Sequence, residues 1–241
     1  MRLGFIGTGV IASAVVRGLA GQGHEIRVSA RSKARSAALA AEIAEVQIAP
    51  LQEILDHSEI VFLGLMAEAA PQLLEELSFP AGVRIVSLMA GPDLEQVASL
   101  VAPAQATAVM MPFPGIAQGG SAIMALGDTS LLEQIFAPRN TVFALRDAAE
   151  LEAYLCAQAV LSPVAQLTSA ASTWLGGRVA DPGQAEAFLR MLISSSLAAG
   201  PAEDLIEALN TPGGYNQRLR LHMEEAGMTQ QLRAGLDKLE S

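Results

Sequence analysis

Arg2-Leu3-Gly4-Phe5-Ile6-Gly7-Thr8-Gly9-Val10-Ile11-Ala12 is a short apolar run that opens onto the spacing GxGxxA. The glycines alone are a weak signal in a chain that contains 21 of them. Their setting is stronger: the run before them reads as a strand, and the residues after them read as a helix to about Gly21. Residues 25–30 then have the alternation and β-branching of a second strand. In such a strand–turn–helix, Gly7 permits the tight turn, Gly9 lets the backbone approach a pyrophosphate, and Ala12 lets the helix pack on the strand. Helix N-terminal amides then bind phosphate. Gly7, Thr8, Gly9, Val10 and Ile11 are therefore candidate cofactor-binding residues. A signal-peptide reading of residues 1–20 fails on Arg17 and on glycines at 4, 7 and 9 that the turn explains.

The end of the second strand selects the dinucleotide. An acid there accepts from a ribose 2′-OH and selects NAD. The sequence is instead Ser29-Ala30-Arg31-Ser32-Lys33-Ala34-Arg35, without an acid. Arg31, Ser32 and Lys33 suit a 2′-phosphate, so the expected cofactor is NADP rather than NAD. Charge placement agrees: residues 1–35 carry six basic residues against Glu25 alone, in a chain whose net charge is −10. A positive region on an acidic protein reads as a site for a small polyanion, and the overall charge argues against nucleic acid as a partner.

The βα alternation continues. Residues 46–48, 60–66, 83–89, 106–111, 122–126 and 141–145 read as strands, and 32–44, 51–57, 67–77 and 93–101 as helices. This is the pattern of an α/β Rossmann fold, a doubly wound parallel sheet. From residue 146 the alternation stops. Residues 147–175, with a break at Pro163, then 182–199, 201–209, 212–226 and 229–239 read as helices. Asp181-Pro182, Gly200-Pro201 and Thr211-Pro212 each look like a cap or turn followed by proline at the first helical position. The expected domains are 1–145, dinucleotide-binding, and 146–241, all-α, for dimerisation and substrate. Residues 153–177 carry no formal charge, yet Gln158, Pro163 and Gln166 argue against a membrane span. A helix of this kind needs a partner to bury it, and a homodimer supplies one. The chain is 51% hydrophobic with one cysteine, Cys156, so a cytoplasmic, metal-free, folded protein is expected.

No residue stands out as a general acid. His24, His57 and His222 sit at a turn, a helix end and a polar helix; Lys33 belongs with the phosphates and Lys238 is near the terminus. Carbonyl reduction needs a proton donor at the developing alkoxide. A protonated imine is already polarised, so scarcity of acid/base groups leans toward C=N chemistry.

The chain resembles the pyrroline-5-carboxylate reductase family. The resemblance is carried by Phe5-Ile6-Gly7-Thr8-Gly9, by Ser87-Leu88-Met89-Ala90-Gly91, by Met111-Pro112, and by Thr211-Pro212-Gly213-Gly214 before a helix ending in Glu224-Glu225-Ala226-Gly227. It implies NADPH-dependent hydride transfer to a cyclic imine, 1-pyrroline-5-carboxylate to proline, and a Rossmann domain followed by a helical domain that interleaves with its partner's, often in a larger ring. It also implies that Leu65, Met66, Ala90, Gly91 and Pro112 line the cofactor, and that Ser162, Gly213 and Gly214 face the substrate. The deazaflavin-dependent NADP reductases share the N-terminal pattern but lack the Pro-Gly-Gly helical part.

The substrate half departs from the family. Phe113 follows Met-Pro where the family has Asn, Val109 replaces an Arg, and Met66-Ala67 replaces Lys-Pro. Val160-Leu161-Ser162-Pro163-Val164 stands for Gly-Ser-Gly-Pro-Ala, and the paired threonines after Pro-Gly-Gly are Tyr215 and Asn216. Two readings follow. In one, the chain reduces pyrroline-5-carboxylate or another small imine or carbonyl, with Tyr215 supplying a proton and Asn216 a hydrogen bond, so that these two are the catalytic candidates. In the other it is a non-catalytic or re-purposed NADP(H)-binding homologue, and Tyr215 is a packed aromatic at a helix start.

Overall fold

The first strand, β1 (Arg2–Ile6), alternates: Leu3 and Phe5 join one buried cluster and Ile6 another, so both faces of the sheet are covered. The chain continues as α1 (Val10–Leu19), β2 (Glu25–Ser29), α2 (Lys33–Glu42), β3 (Val46–Ala49), α3 (Leu51–His57) and β4 (Ile60–Leu63). There follow a 3-10 turn (Ala67–Ala69), α4 (Ala70–Leu74), β5 (Arg84–Ser87), α5 (Leu94–Val101), β6 (Gln105–Pro112), β7 (Ala122–Gly127), α6 (Thr129–Phe136) and β8 (Thr141–Ala144). The computed structural model describes residues 1–240.

The eight strands form one sheet in the order β3-β2-β1-β4-β5-β6-β7-β8. The order reverses between β1 and β4, which opens a crevice at the carboxyl ends of those strands. Phe5 and Phe62 stack beneath it at 4.7 Å, with the Phe136 ring edge-on to Phe62 at 6.2 Å. The sheet departs from the expected all-parallel order at one pairing: β6 and β7 are antiparallel, while β7 and β8 are parallel to each other. The reason is the connection. Only residues 113–121 join β6 to β7. A parallel crossover needs roughly a dozen or more residues.

Two strands are shorter than expected. β4 stops at Leu63, where the Gly64 amide donates to the Ile6 carbonyl at 2.8 Å and the chain turns out to an exposed Met66. β5 likewise ends at Ser87.

The chain divides into two compact units, Met1–Leu151 and Glu152–Ser241. The second contains the end of α7 (Ala148–Ala157), a 3-10 turn (Gln158–Val160), α8 (Leu161–Gly176), α9 (Pro182–Ala198), α10 (Ala202–Ala208), α11 (Tyr215–Glu225) and α12 (Met228–Leu239). Pro163 lies in the first turn of α8, which tolerates it; the break falls before it, in the 3-10 turn. Asp181 caps α9, accepting from the Gln184 amide at 3.0 Å, with Pro182 in the first turn. The other two proline expectations are corrected. Pro201 is itself the extended cap before Ala202. Pro212 lies in a turn closed by the Gly214 amide on the Thr211 carbonyl, so that α11 begins at Tyr215.

Among the described residues of this second unit only Ser172 and Ala185 are buried. The uncharged α8, expected to be covered, exposes Leu161, Leu167 and Trp174 within the chain. Among the described residues no helix is long and apolar enough to cross a membrane, and no cluster of His, Cys, Asp or Glu is arranged to hold a metal.

Candidate functional site

A cleft of about 440 Å³ lies at the carboxyl ends of β1, β2, β4 and β5. Gly7 to Ala12 line one wall, Arg31, Ser32 and Arg35 another, and Gly64, Leu65, Met66, Leu88 and Ala90 the rest. Gly7 has φ +98°, and a Cβ on it would come within 2.2 Å of the Gly64 carbonyl oxygen, so no other residue makes this turn. Gly9 is different. It is extended, and a Cβ there would meet nothing within 4 Å, so its missing side chain keeps open the space above the start of α1. Ala12 is small for its own reason: its Cβ already faces Gly64, where an added Cβ would stand 2.7 Å away.

Both helices that begin at this cleft are uncapped by side chains. α1 starts from Gly9 and α2 from Ser32, and neither has an acid in its first turn. The first amides of a helix have no intrahelical acceptor and carry the positive end of the helix dipole. Side-chain charge adds to this. Of the six basic residues within 1–35, three are engaged: Arg2 with Glu59 at 3.8 Å, Arg17 with Glu42 at 3.0 Å and Arg27 with Glu53 at 3.7 Å. Among the described residues, no carboxylate pairs with Arg31, Lys33 or Arg35. The local positive charge thus resolves into a neutralised part and an open part beside the cleft.

Three buried hydroxyls tie the loops that follow β1 and β2 together. Ser29 Oγ accepts from the Gly7 amide at 2.8 Å, and Ser36 Oγ donates to the Ser29 carbonyl at 2.7 Å. Thr8 Oγ1 and Ser36 Oγ lie 3.2 Å apart. Uncapped helix starts, a void above Gly9 and unpaired guanidinium groups make a donor set that fits an extended polyanion with two separated phosphate groups. The lining contains no Asp, Glu, His or Lys.

The structure brings ten of the thirteen candidate cofactor residues to this cleft: Gly7, Thr8, Gly9, Val10, Ile11, Arg31, Ser32, Leu65, Met66 and Ala90. Lys33, Gly91 and Pro112 are not among the lining residues. Lys33 is exposed as the first residue of α2, Gly91 follows with φ +106°, and Pro112 is buried at the end of β6. Arg35, Gly64 and Leu88 line the cleft without having been singled out. In the second unit Ser162 is exposed early in α8, and Gly213 and Gly214 form the turn into α11. Tyr215 and Asn216 open that helix; Tyr215 is 89% exposed, so nothing within the chain packs over it.

The tertiary structure matches solved proteins over the full chain. A pyrroline-5-carboxylate reductase from Streptococcus pyogenes superposes with a TM-score of 0.83 at 20% identity, covering 100% of this chain and 96% of that one. The fold is that of the pyrroline-5-carboxylate reductases. A second, from Plasmodium falciparum and solved with NADP bound, gives 0.83 at 13% identity, with coverage of 100% and 95%. An imine reductase from Pseudomonas sp. gives 0.62 at 20% identity, with coverage of 98% and 90%. By sequence, residues 2–91 match the family described as NADP oxidoreductase, coenzyme F420-dependent. No curated protein matches the chain by sequence.

Proposed function

We propose that this chain is an NADPH-dependent reductase that transfers hydride to a small C=N substrate, with 1-pyrroline-5-carboxylate the first to test. The observation that carries the reading is the cleft at the β1/β4 reversal: glycine loop, two uncapped helix starts and the unpaired Arg31 and Arg35, with no acid at the end of β2. These groups suit NADP: the α1 start and glycine loop for the pyrophosphate, Ser32, Arg35 and Arg31 for the 2′-phosphate. The nicotinamide, when bound, supplies the hydride. The lining has no carboxyl, imidazole or amine to act as a general acid, only arginine and the Thr8 and Ser32 hydroxyls, which supports a substrate that arrives already protonated, as an imine does. The NADP-bound structure of the Plasmodium relative supports the cofactor.

Tyr215 and Asn216 are the substrate-side groups in this reading, as hydrogen-bond donors to the substrate, with Tyr215 the proton source where that substrate is an unprotonated imine or a carbonyl. Their exposure at the head of α11 leaves them available to a substrate. A homodimer belongs to the same reading and is supported by the second unit's exposed apolar side chains, Trp174, Phe188 and Met191 among them. The place of action proposed is the cytoplasm.

The test is NADPH oxidation by the purified protein with pyrroline-5-carboxylate, with NADH alongside. Turnover with NADPH is expected; a loss of about tenfold or more in Tyr215→Phe would support the Tyr215 hydroxyl as a proton source, and unchanged turnover would remove it from the reaction. NADPH binding without turnover on any imine would favour the second reading, a re-purposed dinucleotide binder, which the absence of acid/base groups in the cleft also supports.

A further inference from the structure

Thr8, Ser29 and Ser36 are 1%, 0% and 0% exposed, although each carries a hydroxyl. A buried hydroxyl is costly unless its bonds are made, and here they are made to one another's segments. Ser36 Oγ reaches three groups: the Ser29 carbonyl at 2.7 Å, the Ser32 carbonyl at 3.1 Å and Thr8 Oγ1 at 3.2 Å. A hydroxyl has one proton. Carbonyls only accept, so the Ser36 proton goes to one of them, and the Thr8 hydroxyl must be the donor to Ser36. Thr8 belongs to the glycine loop, Ser32 is the cap of α2, and Ser29 ends β2 and holds the Gly7 amide. One side chain therefore sets the spacing between the two cleft walls that carry the phosphate-binding groups.

We propose that Ser36 is a positioning residue for the dinucleotide: it touches no ligand, and through Thr8, Ser29 and Ser32 it fixes the distance between the pyrophosphate and 2′-phosphate subsites. The proposal rests on reading the cleft as the NADPH site. A spacing device has a signature that general loosening lacks. It matters for a ligand that spans both subsites and not for a ligand that fills one, because only the former needs both walls at a set distance.

The experiment measures Kd by calorimetry for NADPH, ADP and 2′-AMP with wild type, Ser36→Ala, Thr8→Val and the double variant, with melting curves to establish folding. Ser36→Ala is expected to weaken NADPH by about fivefold to tenfold, while ADP and 2′-AMP change by less than about twofold. Thr8 itself lines the cleft, so Thr8→Val serves only for the cycle: the double variant is expected to be no more than about twofold worse than Thr8→Val alone, since both remove the same link. Unchanged NADPH affinity in Ser36→Ala, or fragments weakened as much as NADPH by it, would overturn the proposal. If Ser36→Ala does not fold, Ser36→Cys, which keeps the size and weakens the hydrogen bonds, decides by the same comparison. Failure of the wild type to bind NADPH would overturn this proposal together with the function on which it rests, whereas wild-type binding with indifferent variants overturns this one alone.

Discussion

Arg31 and Arg35 share a wall of the cleft while Lys33, between them, does not. Arg31 precedes the cap Ser32, and Arg35 is the third residue of α2, where the backbone has begun to turn. Positions two apart on a helix leave it in different directions, which separates Lys33 from Arg35. Each guanidinium lacks a carboxylate partner, so a phosphate would be its first strong acceptor. Arg31→Ala and Arg35→Ala are each expected to raise the Kd for NADPH about tenfold and to leave that for NADH within about twofold, with Lys33→Ala a smaller change; fluorescence titration reads all three. The glycine loop was legible in the sequence because its logic is local: turn, approach and packing are set by residues a few positions apart. Arg35, Ser36 and Gly64 were not, because their part depends on the register of α2 and on β4 ending beside β1, which no local pattern states.

Strand existence was legible in the same local way, from β-branched runs such as Ile60 to Leu63, but strand direction was not. β7 reads as well parallel as antiparallel, and only the short link over 113–121 tells them apart. The start of α11 was misjudged for a related reason: proline after threonine suits a helix start, but the two glycines that follow carry the turn. Helix caps also have consequences for stability, and the one at Asp128 was not singled out in the sequence. Asp128 opens α6, which buries Leu131, Leu132, Ile135 and Phe136, and its carboxylate accepts from the Ser130 hydroxyl and from the Leu131 amide at 3.3 Å. Those bonds, the Ser130 hydroxyl first, hold the carboxyl below its ordinary value of 3.8. A depressed acid stabilises the fold above its unfolded value and loses that contribution as pH falls through the folded one. Asp128→Ala is therefore expected to cost about 0.5–1 kcal/mol at pH 7, at the low end because water screens the group, with the gap to wild type closing below about pH 4. Urea unfolding at both pH values checks this.

At the scale of the molecule the two units differ in how they are held. The first has two continuous clusters, one on each face of the sheet, built on fully buried Phe5, Phe62, Leu63 and Ile85. The second has an open apolar groove of about 770 Å³ lined by residues including Val160, Leu167, Met223, Leu232 and Leu236. Phe188 and Met191, at 56% and 72% exposure, add to the uncovered surface. The homodimer proposed above would cover this apolar surface. Light scattering on the eluting protein is expected to give about twice the 25.1 kDa chain mass, and Phe188→Asp to shift it toward the single chain. A single-chain mass for the unmodified protein would remove the dimer from the proposal.

The near absence of buried side chains in α8 to α12 bears on what heat and dilution do to this protein. Helical amides resist deuterium exchange only as far as something makes opening costly, and within one chain little does so for these helices. If a second copy supplies that cost, protection in residues 152–240 obeys mass action while protection in the sheet does not. Diluting the sample a hundredfold should then quicken exchange in the helical unit and leave β1, β4 and β5 unmoved. The unit built on the sheet would keep its own clock, and the helical unit would keep time by concentration.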